Sequence, residues 1–145
     1  MLIETRDFGT VEVAEDTIID FPDGVYGFED SKRFVLFDTG SASGVMQLQC
    51  VDSPHPRFIV LDPFALVEDY APQLPAGALE KLRAASPEQV NLFAIAVVPE
   101  DFKKATANLK SPVAIHFAER LGAQLILDNK DYPVRHQLFA PERTA

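Results

Sequence analysis

Hydrophobic and polar positions alternate in short runs along this chain, and the runs are the length of β-strands. Gly9-Thr-Val-Glu-Val13 has the period of a half-buried strand. Thr17-Ile-Ile-Asp-Phe21 follows the Glu15-Asp16 turn, so the two segments are expected to pair as a hairpin. Phe34 to Phe37 is a continuous apolar run, the pattern of a strand buried on both faces. In Val45 to Val51, Met46, Leu48 and Cys50 share one face, and Gln47 and Gln49 the other. Asp52-Ser-Pro-His-Pro56 ends that run, because prolines cannot serve a central ladder. Further strands are expected over Phe58–Leu61, Val90–Val98 (the longest, and so central), Thr106–Leu109, Val113–Phe117 with His116 facing away from Val113, Ile115 and Phe117, and Gln124–Leu127.

Between these runs lie turn signals. Residues 39–44, Thr-Gly-Ser-Ala-Ser-Gly, read as a flexible turn. Asp20 to Asp30 places Gly24 and Gly27 among Phe21, Val25, Tyr26 and Phe28, with Pro22 barring helix or ladder. That composition predicts a tight, partly buried loop plugging one end of the core. Pro63, Pro72 and Pro75 mark irregular, wrapping chain. Ala78–Ala85 is the one good helix, with Leu79 and Leu82 on one face and Ser86-Pro87 as its stop. About eight strands at roughly ten-residue spacing with one helix imply an antiparallel barrel or sandwich, since parallel βαβ units need more helices. No repeat or linker divides the chain, so residues 1–139 are expected to form one domain and 140–145 a flexible tail.

Composition narrows the function classes. Twenty-two acids against 13 bases give a net charge of −9. Such a field repels nucleic acid and anionic membrane and favours a basic partner. The longest apolar run, Leu92–Val98, is far below the roughly 20 residues of a membrane helix. The N-terminus shows no export leader, and the single cysteine, Cys50, cannot form an internal disulfide, so a cytoplasmic location is expected.

Little in the sequence suggests catalysis. Cys50, Asp52 and His55 are close enough in sequence to suggest a thiol with a base, but Cys50 falls on the apolar face of its strand. His116 and His136 lack ligand-spaced partners, and no zinc, phosphate-loop or nucleophile-elbow pattern occurs. Gly24-Val-Tyr-Gly27 matches an RNA-clamping loop only as a string, because its flanks are acidic. The acids say more. Four Glu-Asp doublets, Glu15-Asp16, Glu29-Asp30, Glu68-Asp69 and Glu100-Asp101, fall in turns or irregular chain. Turns favour Asp for local reasons, yet doublets meeting at one rim would steer a basic partner. The strongest candidate segment is Asp62 to Tyr70, where acids alternate with Phe64, Leu66 and Tyr70, as aromatic anchors do inside a charged rim.

Several motifs in order resemble one family. Phe8-Gly9, Val11-Glu12-Val13 and Phe21-Pro22-x-Gly24-x-x-Gly27-Phe28-Glu29 are similar to the N-terminal signature of the FliW flagellar assembly factors. Leu48-Gln49-x-Val51-Asp52-x-Pro54 and Asp62-Pro63…Asp69-Tyr70 resemble its middle. Val98-Pro99-Glu100-Asp101, Thr106-Ala107-Asn108-Leu109-x-x-Pro112, Gly122-x-Gln124 and Arg135-His136-x-Leu138 resemble its C-terminal half. The chain departs from the pattern at Cys50, usually Ser, at His116, usually Asn, and at Arg57, usually apolar. The resemblance implies a small β-barrel with no enzymatic activity and no cofactor. It implies two partners, flagellin and the basic RNA-binding repressor CsrA, the latter captured non-competitively. Two alternatives stand beside it: from a different class, a small-ligand barrel such as a flavin-type split barrel with a reductase role, and a chaperone that binds flagellin but not CsrA. The expected contact residues are Asp62, Phe64, Glu68, Asp69 and Tyr70, with Glu100, Asp101 and Asn108 as a second set.

Overall fold

The computed structural model describes residues 1–38 and 44–139. The expected turn over residues 39–44 falls almost wholly outside them, as does the tail from residue 140. Eleven strands are described: β1 (Leu2–Thr5), β2 (Gly9–Glu12), β3 (Ile19–Asp20), β4 (Arg33–Asp38), β5 (Met46–Cys50), β6 (Arg57–Leu61), β7 (Asn91–Val97), β8 (Thr106–Ala107), β9 (Val113–His116), β10 (Leu121–Gln124) and β11 (His136–Gln137). Two one-turn helices, α1 (Pro63–Leu66) and α2 (Ala78–Lys81), join them.

Long β7 closes the sheet into a barrel. One edge of β7 pairs with β6, and the other is shared: Asn91–Phe93 pairs with β9, while Ala96 and Val97 pair with β8. The ring β7-β6-β5-β4-β3-β10-β9 thereby closes on itself with seven strands, and β8 and β11 extend as a flap from β7. All pairings are antiparallel except β3 with β10, which is parallel through Asp20 and Leu121. The longest strand is central, as its run of apolar residues implies.

Alternation of large and small residues sorts the core into layers. Phe21, Phe34, Leu48, Cys50, Val60, Phe93, Val113 and Ile115 fill the barrel interior. Their neighbours Ala94, Ala96, Ala107, Ala114 and Ala123 face outward and form an alanine floor. Tyr70, Leu82, Leu109, Leu125 and Leu127 lie on that floor. Small side chains let the segments laid over the sheet approach it closely, so their leucines are buried without a second sheet. Phe21 packs inside at 0% exposure because Gly122 opposite has no Cβ; an added one would come within 2.4 Å of the ring.

Four expectations are corrected. The segment Gly9–Val13 does not pair with Thr17–Phe21: β2 pairs with β1, Ile3 opposite Val11. Thr5 Oγ1 closes that turn by donating to Gly9 O at 2.8 Å and accepting from Phe8 N at 2.9 Å. The hairpin then lies over the outer face of β4, with Ile3, Val13 and Val35 in one cluster. The helix expected to run to Ala85 stops at Lys81, because Arg83 turns left-handed at φ 54 and Ala84 N closes onto Leu79 O. A second helix, α1, lies within the segment expected to be irregular. The last core strand is Leu121–Gln124 rather than Gln124–Leu127, though Leu125 and Leu127 are buried beyond it.

Two polar residues on the faces opposite the apolar ones are buried as well, Gln49 and His116. Gln49 is 0% exposed under the N-terminal hairpin. Its Oε1 accepts from Arg6 N at 3.2 Å, and its Nε2 donates to Cys50 O at 3.1 Å and Pro54 O at 2.9 Å. His116 Nδ1 meets Leu82 O at 2.8 Å and ties β9 to the end of α2. Arg57 donates from Nε to Asp7 at 2.8 Å, so its charge is paired.

Candidate functional site

The Cys50, Asp52 and His55 set does not assemble. Cys50 points into the barrel at 2% exposure, and His55 is exposed on the loop after β5. Asp52 forms a two-point ion pair with Arg33, which holds its carboxyl below the usual range. Among the described residues no group of three His, Cys, Asp or Glu side chains could hold a metal. The barrel interior is filled by side chains, so the chemistry that faces outward lies on the straps and loops around the barrel.

Asp62 to Asp69 forms one of these surfaces. Asp62 caps α1, accepting from Phe64 N at 2.9 Å, and Pro63 takes the first helical position. The cap orients α1 so that Phe64 projects outward, 50% exposed. Glu68 and Asp69 follow, both exposed. Tyr70 is placed differently from the expected contact role. It is 5% exposed, and its hydroxyl donates to Leu109 O at 2.7 Å. Its ring supports Phe64 at 5.3 Å and Tyr132 at 4.7 Å. Burial, with Tyr132 adding to it, pushes its phenol up to about 12. Tyr70 is therefore the strut beneath the surface, and its side chain is not available to a partner.

The second set is divided by the fold. Asn108 lies next to Leu109, the residue that Tyr70 grips, so it belongs to the foundation of the same strap. Its Oδ1 accepts from Lys110 N at 3.1 Å and Ser111 N at 2.8 Å, which forms a turn rather than an exposed contact. Glu100 and Asp101 are exposed in the β7–β8 turn, and Asp101 caps the short 3₁₀ helix Phe102–Lys104 by accepting from Lys103 N. Sequence reasoning missed Asn129 and Tyr132, which hold the strap from beneath. Both sit in or beside the Asp128–Asp131 turn, and only their partners distinguish them.

Fold and surface together define a small, side-chain-filled β-barrel whose distinctive chemistry lies on its outer straps. Within that class, the chain belongs to the FliW protein family, whose profile matches residues 2–138. It is 46% identical over 125 residues to the flagellar assembly factor FliW of Symbiobacterium thermophilum, covering 86% of this chain and 91% of that one. The corresponding protein of Ruminiclostridium cellulolyticum is 39% identical over 140 residues, 96% and 95% of the two chains. A crystal structure of the flagellar assembly factor FliW superposes with a TM-score of 0.90 at 35% identity, covering 99% of this chain and 100% of that one.

Proposed function

We propose that this chain is a flagellar assembly factor that holds flagellin and, when flagellin is exported, sequesters the repressor CsrA. Flagellin translation then follows flagellar assembly. The observation that carries this reading is family membership across residues 2–138, with 46% and 39% identity to two named flagellar assembly factors. The physical surface is consistent with it. A net charge of −9 attracts a basic partner, and Phe64 offers an apolar anchor beside Glu68 and Asp69. Capture of CsrA is non-competitive, at a surface away from its RNA site. The chain acts in the cytoplasm as a monomer, through binding alone, with no cofactor and no catalytic step. No helix of the described residues is long and apolar enough to cross a membrane.

The test is titration of the purified chain with flagellin and with CsrA separately. Both bind under this reading, and CsrA affinity falls as added salt shortens the Debye length from about 10 Å to about 3 Å. Binding of flagellin alone would leave a chaperone without the regulatory branch. Binding of neither would remove the reading.

A further inference from the structure

Residues 70–73 belong to no strand, yet they are held as a strand would be. The Asn129 side-chain amide accepts from Gln73 N at 2.6 Å and donates to Ala71 O at 3.0 Å. One side chain thus stands in for the N–H and C=O that a neighbouring strand would supply. Asp128 N adds a bond to Gln73 O at 2.9 Å, and the Tyr132 hydroxyl accepts from Ala71 N at 2.7 Å. The turn that carries these groups is itself anchored: Lys110 Nζ donates to Leu127 O at 2.7 Å and also to Asn129 O. Asn108 positions Lys110 from behind by accepting from its backbone N–H at 3.1 Å.

On the other side of the clamp, the Asp62 cap and the packing of Pro63, Leu66 and Val67 hold the base of α1, and the outward Phe64 ring depends on what lies beneath it. α1 is four residues long, a length at which a helix is not stable in isolation. Phe64 leans on Tyr70, and Tyr70 leans on Tyr132. We propose that Asn129 and Tyr132 are positioning residues for partner binding, holding the Phe64–Asp69 surface in the shape that a partner meets. This inference rests on the reading of that surface given above. Neither residue needs to touch the partner. Loosening the clamp lowers the fraction of molecules in the binding shape, and apparent affinity falls by that fraction. The complex, once formed, is unchanged, so the loss lies in the association rate.

The experiment is binding kinetics with purified CsrA, together with amide hydrogen exchange, on Asn129→Ala and Tyr132→Phe. The reference is the double variant Glu68→Lys with Asp69→Lys. The positioning variants should speed exchange at Ala71 and Gln73. They should weaken binding about three- to tenfold through slower association, the fall expected if a third to a tenth of molecules keep the binding shape. Neither variant alters charge, so the salt dependence should stay that of the wild type. If the reference weakens binding but both variants exchange faster and bind at the wild-type rate, the positioning role is overturned and the surface reading stands. A loss confined to dissociation would overturn it too, since it would place these side chains in the contact. If the reference binds like the wild type, the surface reading falls and this inference falls with it. Tyr132→Phe keeps the ring and removes only one acceptor, so it decides the question even if Asn129→Ala melts early.

Discussion

Alanine at Gly24 should lower stability by about 3 kcal/mol, whereas alanine at Gly27 should cost about 1 kcal/mol. Both glycines have positive φ, +67 and +87, so both substitutions meet left-handed strain. Only Gly24 is also crowded. A Cβ there would lie 2.6 Å from Phe28 O and 2.7 Å from Glu29 Cα and O, all backbone atoms that cannot move aside. At Gly27 a Cβ would meet nothing within 4 Å. The tight loop expected at this end of the barrel is therefore built around one glycine rather than two. Phe21 and Val25 turn into the core, while Tyr26 and Phe28 are 56% and 45% exposed. Thermal unfolding of the two variants checks this, and equal losses would contradict it.

The second large effect is expected at Gln49. Glu at this position should cost about 4 kcal/mol at neutral pH, the scale of an uncompensated buried charge. Oε1 could still accept from Arg6 N, but the second carboxylate oxygen would face Cys50 O and Pro54 O where the amide now donates. Burial and those carbonyls raise the folded-state pKa of the introduced carboxyl above its unfolded value near 4.3. The folded state then binds more protons than the unfolded one, so the deficit grows as pH rises through that window. Relative to the wild type, the loss should shrink as pH falls towards about 4.5, where the protonated carboxyl regains a donor. Denaturant unfolding of both proteins across pH measures this, and a pH-independent deficit would contradict it.

Gln49 also shows what was legible in the sequence. Period-two alternation placed Leu48 and Cys50 in the interior correctly, because that face meets only other strands. The same rule put Gln47 and Gln49 on the opposite face without saying what covers it, because alternation cannot register what a remote segment lays over a face. β1 is four residues long with two exposed, too short to compete with the local hairpin suggested by Gly9–Phe21. Val90–Val98 was legible because a long unbroken apolar run suits a strand covered on both sides. The alternation of Phe93 and Ile95 with Ala94 and Ala96 carried the alanine floor in plain view. Its meaning depends on the strap that covers it.

The sequence singled out Asp62 to Tyr70 as a candidate but could not separate its exposed residues from its buried one. Asp62, Phe64, Glu68, Asp69 and Tyr70 are adjacent in the chain, and nothing local separates an exposed Phe64 from a buried Tyr70. That separation comes from Leu109 and Tyr132, 39 and 62 residues away in sequence, which draw the Tyr70 ring and hydroxyl inward. Asn108 carried a motif signal that the fold spends on a turn. Asn129 carried none, because its function lies in being opposite Ala71 and Gln73.

If the chain captures CsrA as proposed, the acidic strap of Glu68 and Asp69 is the expected place of contact. The direct measurement is calorimetric titration of CsrA into the wild type and into Glu68→Lys with Asp69→Lys, at one low salt concentration and with thermal melts of both. Matching melts are expected, with an affinity at least about tenfold weaker for the reversed pair, because like charges would then face each other across the contact. Equal affinities with equal melts would contradict it and move the binding surface elsewhere on the barrel.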